Sequence, residues 1–562
     1  MITEVQSQRG RRAWQWGSVL LALVLLNGAV TFHNVWPTLG VHWPGELSVE
    51  LAGLLVLLAL SNAWIGPTSR RVLALLSALV VLFALGRYCD VTAPALYGRE
   101  VNLYWDVPRL LSVVAMFVRV ATGWQVLGVL GGTLLALTLL YTLAHWSLRQ
   151  VDQVLGQYRL ARTGLGTLGT LLLGCFLWQQ LDHGRPPVPR FSIPVSRTYG
   201  EQLTRIVDAV AGSRSAGTLP PSPPMHSDFT ALSGSDVLLV FLESYGSVTY
   251  DNERFERALQ PARERLAAAL NDTGREVVSG FVTSPTFGGE SVLAHLSLLS
   301  GIEVRDSTRY ALLMTQKRPT LVSLFKQAGY HSIAVMPGMR QQWPEGEFYA
   351  FDAIYDSAKL DYRGPGFGWW HIPDQYAIAA LDARELQVHP RKPLFVFFPT
   401  VSTHIPFNPI PPVQTDWQRM LSARPYDAAP LARAFTQRPD WTDMGQSYVN
   451  SVAYFFDMLS SYLRERADDN FVLIVLGDHQ PAANVSGEGA PWEVPVHIIS
   501  RRPQLLQALQ AHGFRPGLTP LRPSSGPMNA LALWLLEAFD QGPQSSPPQL
   551  PGDSERTAAV GN

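Results

Sequence analysis

The chain is nearly free of cysteine: Cys89 and Cys175 are its only two among 562 residues. Both fall in its apolar first third, so no disulfide framework supports the remainder, which must be held by a core of ordinary size. The same lack excludes a thiolate-rich zinc site there. Charge is also scarce. Only 16% of the residues are Asp, Glu, Lys or Arg and the formal net charge is -1, which leaves no basic stripe to displace counterions from a nucleic acid. No internal repeat is evident.

Long apolar runs are abundant instead. Hydrophobic residues make up 47% of the chain. Their excess is confined to segments 16–32, 47–65, 72–85, 126–146 and 165–178, which approach the ~20 residues that a bilayer-spanning helix needs. Such runs in succession predict an integral membrane anchor of about five helices rather than buried helices of a soluble core. No small-x-small cleavage site follows the first run and further runs do, so it reads as a retained signal anchor.

Arginines collect at one set of ends: Arg9, Arg11 and Arg12 before the first run, Arg70 and Arg71 before the third, and Arg149, Arg159 and Arg162 before the fifth. The segment 33–46 has no Lys or Arg at all. The positive-inside rule then places the N-terminus in the cytoplasm and everything beyond about residue 184 on the far side. Segment 109–121 is apolar too, but Pro108 opens it and Arg119 interrupts it. It reads as an interfacial or re-entrant helix, with a sixth span as the alternative.

The expected layout is a transmembrane domain over 1–183, a Pro/Ser/Gly-rich linker with one short amphipathic helix over 184–230, an α/β domain over 231–540 and a disordered tail over 541–562. Within the third part, apolar runs of strand length recur at 237–242, 331–336, 394–399, 471–476 and 494–499. Helical stretches at 254–270, 320–329 and 448–467 alternate with them. That alternation predicts a mostly parallel sheet covered by helices on both faces, with functional groups gathered beyond the carboxyl ends of its strands.

Those ends carry chemistry. A strand buried on both faces has no internal use for a carboxylate or an imidazole, yet one run ends in Glu243 and another in Gly477-Asp478-His479. Glu243, Asp478 and His479 are therefore candidate metal ligands. The run before Thr400 leads to His404, which alone is more often a surface or satisfied histidine. Ser291 follows two glycines and a Glu and opens an apolar-periodic helix; by itself it is an N-cap. The backbone N–H groups and macrodipole at such a place also favour a nucleophilic oxyanion or an incoming phosphate. His295, one turn on, either orients the nucleophile or substrate or packs beneath the site. His497, inside the last strand, is read as structural. The cluster Trp369-Trp370-His371 either lines a headgroup pocket or rests on the membrane surface.

Taken together, the apolar strand ending in Leu242-Glu243-Ser244, the Ser at a helix start, the His404-Ile405-Pro406-Phe407 segment and the strand ending in Gly-Asp-His resemble the alkaline phosphatase/sulfatase superfamily. The likeness is closest to its membrane-anchored phosphotransferase branch, which comprises lipoteichoic acid synthases, phosphoglycerol transferases and phosphoethanolamine transferases. The resemblance implies a sulfatase-like α/β domain on the periplasmic or extracellular side of a bacterial cytoplasmic membrane. It implies that Glu243, Ser291, Asp478 and His479 bind one divalent cation, that Ser291 is the nucleophile and that His404 contacts the phosphate or the leaving group. Hard oxygen donors with one imidazole suit Mn2+ or Zn2+ better than Ca2+.

Departures from the family pattern are informative. The synthases use Thr where this chain has Ser291. Their Trp-Asn-Arg segment is replaced by Trp343-Pro344-Glu345, with Arg340 three residues before Trp343, so Arg340 and Trp343 are candidate substrate contacts and the headgroup stays open between phosphoglycerol and phosphoethanolamine. Ser291 is followed by Val-Leu-Ala-His, which is no formylglycine signature, so sulfate-ester hydrolysis is not expected. The implied activity is headgroup transfer from a membrane phospholipid, through a phosphoserine, to an envelope glycan, glycolipid or polymer. A membrane-bound phosphodiesterase or phosphatase and an inert envelope scaffold are the alternatives.

Overall fold

The apolar runs of the first third all fold as helices, because a backbone with no water to bond must satisfy itself. The computed structural model describes residues 2–36, 38–181, 190–210, 219–340, 343 and 345–540, with side chains from residue 13 onward. The tail 541–562 and parts of the expected linker lie outside the described residues. The helices are α1 (Ile2–Thr31), α2 (Val49–Trp64), α3 (Arg70–Tyr97), α4 (Leu103–Val120), α5 (Gly123–Gln157) and α6 (Arg159–Leu181). Ala13–Thr31 of α1 and the whole of α3, α5 and α6 are long and apolar enough to cross a membrane. At 16 residues, α2 rises only about 24 Å, short of the ~30 Å hydrocarbon core.

Successive ends of these helices alternate between two levels. At one level the start of α2 pairs with the segment after α6, Leu47 N donating to Arg190 O (2.9 Å) and Ser192 N to Leu47 O (3.1 Å). At the other level the ends of α2 and α5 meet. There Asn62 Nδ2 donates to Asp152 Oδ1 (2.9 Å), Thr68 Oγ1 donates to the same oxygen (2.5 Å), and Arg162 Nη1 donates to Asn62 O (3.0 Å). The end of α3 belongs to the first level, where Pro94 and Gly98 share a cavity wall with Phe287 and Trp492 of the α/β domain.

Segment 109–121 is the greater part of α4 and its C-cap residue Ala121, on that same side. Its Phe117 ring meets Trp441 (5.7 Å) and Arg119 lies over Trp369 (6.0 Å), while Leu110, Leu111, Val113, Val114 and Val118 are exposed. The expected amphipathic helix is α7 (Val195–Val210), whose Gln202 bridges Leu103 N (3.0 Å) and Val101 O (2.7 Å).

The α/β domain is built on an eight-stranded sheet. Its strands are β1 (Asp236–Leu242), β2 (Glu276–Thr283), β3 (His331–Val335), β4 (Ala353–Tyr355), β5 (Leu394–Pro399), β6 (Phe471–Gly477), β7 (Glu493–Ser500) and β8 (Arg515–Pro516), in the order β8-β2-β7-β6-β1-β5-β3-β4. The block from β6 to β4 is parallel, whereas β7, β2 and β8 run antiparallel at one edge. Every strand-length run in the sequence is a strand. Of the others, β2 escapes a periodicity reading because Gly280 interrupts it, and β4 and β8 are too short to show a pattern.

Side chains of β1 alternate between two cores, as the pleat requires. Leu238, Val240 and Leu242 pack with α8 (Glu253–Asp272) and α10 (Gly445–Glu465) through Phe255, Leu259, Tyr448 and Phe455. Val237, Leu239 and Phe241 pack with α9 (Ser291–Ser300) and α11 (Met528–Ala538) through Leu293, Leu296, Met528 and Leu531. Helices on both faces leave no side of the sheet open, which is why its strands read as continuous apolar runs rather than as alternating ones.

In the anchor, the buried carboxylate of Asp152 ties α2 to α5. Each hydrogen bond to a charged group contributes about 1.5–3 kcal/mol, and Asp152→Ala is expected to cost at least about 2 kcal/mol of anchor stability. Thermal melting of the detergent-solubilised chain reads this loss, and an unchanged melting temperature would remove Asp152 as a structural tie.

Candidate metal centre

Strand register creates the centre. Leu242 of β1 pairs with Gly477 of β6, so the next residue on each strand, Glu243 and Asp478, leaves the sheet beside the other. Leu242 faces α8 and α10, and by alternation its successor turns toward the α9 side. Ser291 opens α9 on that side. Gly477 admits no side chain, since a Cβ there would lie 1.8 Å from the Tyr245 carbonyl oxygen where the chain leaving β1 crosses it.

Two non-glycine residues hold left-handed backbone at the site, Ser244 (φ 57°) just after Glu243 and Glu290 (φ 60°) just before Ser291. Each costs about 1–2 kcal/mol relative to the right-handed form. Such conformations persist where the surroundings over-determine them, as at functional sites.

Four expected residues converge. The Ser291 hydroxyl donates to Glu243 Oε2 (3.0 Å) and lies 3.2 Å from His479 Nε2. His479 Nε2 is in turn 3.4 Å from Glu243 Oε1 and 3.7 Å from Asp478 Oδ2. One ligand atom from each of Glu243, Asp478 and His479 lies within 4.8 Å of the others. The neighbours orient these groups: Ser244 N and His479 N both donate to Asp478 Oδ1 (2.8 Å each), and Thr400 Oγ1 accepts from Glu243 N (3.1 Å). His479 Nδ1 donates to the Gln480 carbonyl (2.7 Å). That bond leaves the Nε2 lone pair aimed at the centre, the arrangement that metal-ligating imidazoles adopt.

Without a cation the charges of the site balance only by keeping protons on Asp478 and His479. Burial disfavours an ionised Glu243, but the hydrogen bond to and charge of His479 outweigh it and hold that carboxyl below the usual range. At Asp478, burial and the Glu243 charge push the carboxyl up. Burial works against a charged His479, yet Asp478 and Glu243 raise it to about 9. Asp478 Oδ2 is buried with no hydrogen-bond partner among the described residues. An orphaned carboxylate oxygen beside a second carboxylate, an imidazole and a hydroxyl fits a divalent cation of the manganese or zinc kind.

The remaining expected residues lie around this core. His404 is half-buried, donates from Nδ1 to Ile405 O (2.7 Å) and packs against the Trp370 ring (4.8 Å). His295 is wedged between Phe241 (4.4 Å) and Phe397 (5.3 Å), and burial pushes its imidazole down to about 3. Its Nε2 is buried with no hydrogen-bond partner among the described residues. Trp343 packs against Tyr349 in a tilted pair (5.5 Å), and Arg340 lies over Trp369 (4.8 Å) and donates to its carbonyl. His497 is buried in β7 between Ser279 Oγ (2.7 Å) and Tyr245 OH (3.0 Å).

Two partners of the site carry no sequence signal of their own. Asp374 is fully buried and accepts from Val401 N (2.8 Å) and Ser402 N (2.9 Å), pinning the loop that presents His404. Glu290, beside the serine, pairs with Arg99 (3.4 Å) and Arg109 from the anchor.

The raised proton affinities of His479 and Asp478 have a measurable sign. At pH 7 both must lose protons when a cation binds, so the affinity is expected to fall as the pH drops from 8 to 6. Calorimetry of Mn2+ or Zn2+ binding in buffers of differing ionisation enthalpy should show at least one proton released per ion; a count of zero would remove both from the ligand set. Asp478→Asn should weaken binding by no less than the roughly 10–100-fold typical of losing an outer-shell partner.

A model of the family described as Sulfatase matches residues 235–518, just over half of the 562. Among solved structures, similar ones include the lipoteichoic acid synthase LtaP from Listeria monocytogenes, with 16% identity over 52% of this chain and 70% of that one, TM-score 0.35. The C-terminal periplasmic domain of EcEptC from Escherichia coli has 15% identity over 52% and 79%, TM-score 0.33. Streptococcus pyogenes phosphoglycerol transferase GacH in complex with sn-glycerol-1-phosphate has 11% identity over 58% and 85%, TM-score 0.34. No match is found among curated proteins. With a family model spanning more than half its length over the same residues that build the sheet and the Glu-Ser-Asp-His centre, the chain belongs to the sulfatase family.

Proposed function

We propose that the protein transfers the headgroup of a membrane phospholipid, phosphoglycerol or phosphoethanolamine, to a cell-envelope glycan, glycolipid or polymer through a covalent phosphoserine on Ser291. One observation carries the reading: the Ser291 hydroxyl sits within hydrogen-bond distance of both Glu243 and His479 at the N-terminus of α9. In this division of labour residues 1–183 anchor the chain in a bacterial cytoplasmic membrane, 184–230 tether, and 231–540 carry the chemistry on the periplasmic or extracellular side. An anchor suits the substrate, because a diacyl lipid leaves the bilayer only at a cost of about 0.8 kcal/mol per methylene.

A cation held by Glu243, Asp478, His479 and Ser291, manganese or zinc, would supply Lewis acidity toward the phosphate and lower the pKa of the serine hydroxyl. The protein's own groups do the rest. Ser291, its hydroxyl proton released to solvent beforehand, forms a bond from Oγ to the headgroup phosphorus as the ester bond to diacylglycerol breaks. His404 hands a proton to the departing oxygen and later takes one from the acceptor hydroxyl. That hydroxyl then forms its own bond to phosphorus as the Oγ–P bond breaks, which returns Ser291 as the oxyanion that began the cycle. The N–H groups at the start of α9 and its macrodipole favour the anionic phosphate throughout.

Ser291→Ala is expected to leave folding and membrane insertion intact while abolishing covalent labelling by headgroup-radiolabelled phospholipid. Turnover should fall by at least about 10³-fold, the scale on which losing a nucleophile is felt. Persistence of the label would dismiss Ser291 as nucleophile. Product that forms at the same rate with and without a hydroxylic acceptor would convert the transferase into a hydrolase.

A further inference from the structure

The loop that carries the nucleophile is gripped by the anchor. Phe287 and Gly288 lie against Leu96, Tyr97 and Gly98 at the end of α3: a Cβ on Gly288 would sit 3.3 Å from Leu96 O and from the Tyr97 ring, and one on Gly98 would sit 3.3 Å from Phe287. Two residues further on, the Glu290 side chain is only 9% exposed and meets two arginines, Arg99 at 3.4 Å and Arg109 in direct contact. Arg99 is itself held by both oxygens of Asp106 (2.9 and 3.1 Å), and Asp106 also accepts from Asn102 N (2.8 Å) at the start of α4. Ser307 completes the group, its Oγ 3.4 Å from Glu290 Oε1 and 3.5 Å from Arg109 Nη2.

Glu290 is also the residue whose left-handed backbone turns the chain into α9. Whatever fixes its side chain therefore fixes the direction from which Ser291 enters the centre. Resting on the phosphoserine reading above, we propose that Arg109, aided by Arg99, is a positioning residue. Through Glu290, the amphipathic helix α4 sets Ser291 at its attacking distance, and the nucleophile is fully competent only while the anchor holds the loop. The arginines also neutralise a carboxylate that would otherwise stand uncompensated beside an anionic substrate. The exposed apolar residues of α4, Leu110, Leu111, Val114 and Val118, make this the part of the anchor through which a lipid surface acts on the nucleophile.

The test uses the full chain in lipid nanodiscs with bis(p-nitrophenyl) phosphate, a soluble phosphodiester that needs no delivery from the bilayer. Arg109→Ala and Glu290→Ala are each expected to lower kcat at least tenfold with KM within twofold and bound metal unchanged. Arg109→Lys, which keeps the ion pair, should retain at least a third of kcat. A rise in KM alone for Arg109→Ala, together with a lower KM for Glu290→Ala, would mean that Arg109 grips substrate directly and would overturn the proposal, as would wild-type kcat in Arg109→Ala.

Hydrogen exchange decides the matter without turnover. Amides of 288–293 should exchange at least tenfold faster in Arg109→Ala, while those of β1 stay unchanged, and equal protection of 288–293 would sink the clamp. If the wild type itself neither turns over the ester nor acquires the lipid label, the functional reading fails, and the exchange measurement still stands or falls by itself.

Discussion

Two buried carboxylates set side by side govern the rest of the site. Parallel pairing of β1 with β6 puts Glu243 and Asp478 at neighbouring strand ends. Two like charges within 4.8 Å repel by about 3–4 kcal/mol at the effective dielectric of a protein site. A positive group must stand between them. The His479 imidazolium does so in part, at the expense of being held charged in a buried position, and a divalent cation would do so completely. Ser291 shares the same space, so a cation that relieved the carboxylates would also draw electron density from its oxygen and lower the hydroxyl pKa.

A centre of this kind tolerates little movement, and the molecule surrounds it with fixed points from separate elements. Thr400 and the amides of Ser244 and His479 hold the acids, the Gln480 carbonyl sets the imidazole, and Asp374 pins the His404 loop. The serine comes from the one wall that the sheet does not supply. Its loop rests on the end of α3 and on the arginines around α4, so anchor and α/β domain form a single scaffold at this point.

Much of the architecture could be read from residue order. The apolar runs of the first third are helices, and the strand-length runs of the remainder are strands, because burial on both faces leaves a continuous apolar signature. The antiparallel strand β2 was hidden by Gly280, and α2 proved shorter than its run, since Leu47 is tied to the Arg190–Ser192 segment and Ser48 caps the helix. Glu243, Asp478 and His479 stood out because polar groups that end an apolar strand have no packing role. His295 had two readings, and its ring stands between those of Phe241 and Phe397 beside the centre.

Sequence alone determined what each segment buries and which groups its ends must expose, since periodicity and hydrophobicity are local properties of the chain. Only the tertiary structure decided which ends meet. The contact of Ser291 with Glu243 spans 48 positions, its contact with His479 spans 188, and that of Arg109 with Glu290 spans 181. Distances of that kind follow from strand register and helix packing, in which many weak apolar contacts are settled at once, and no single residue carries a mark of its partner.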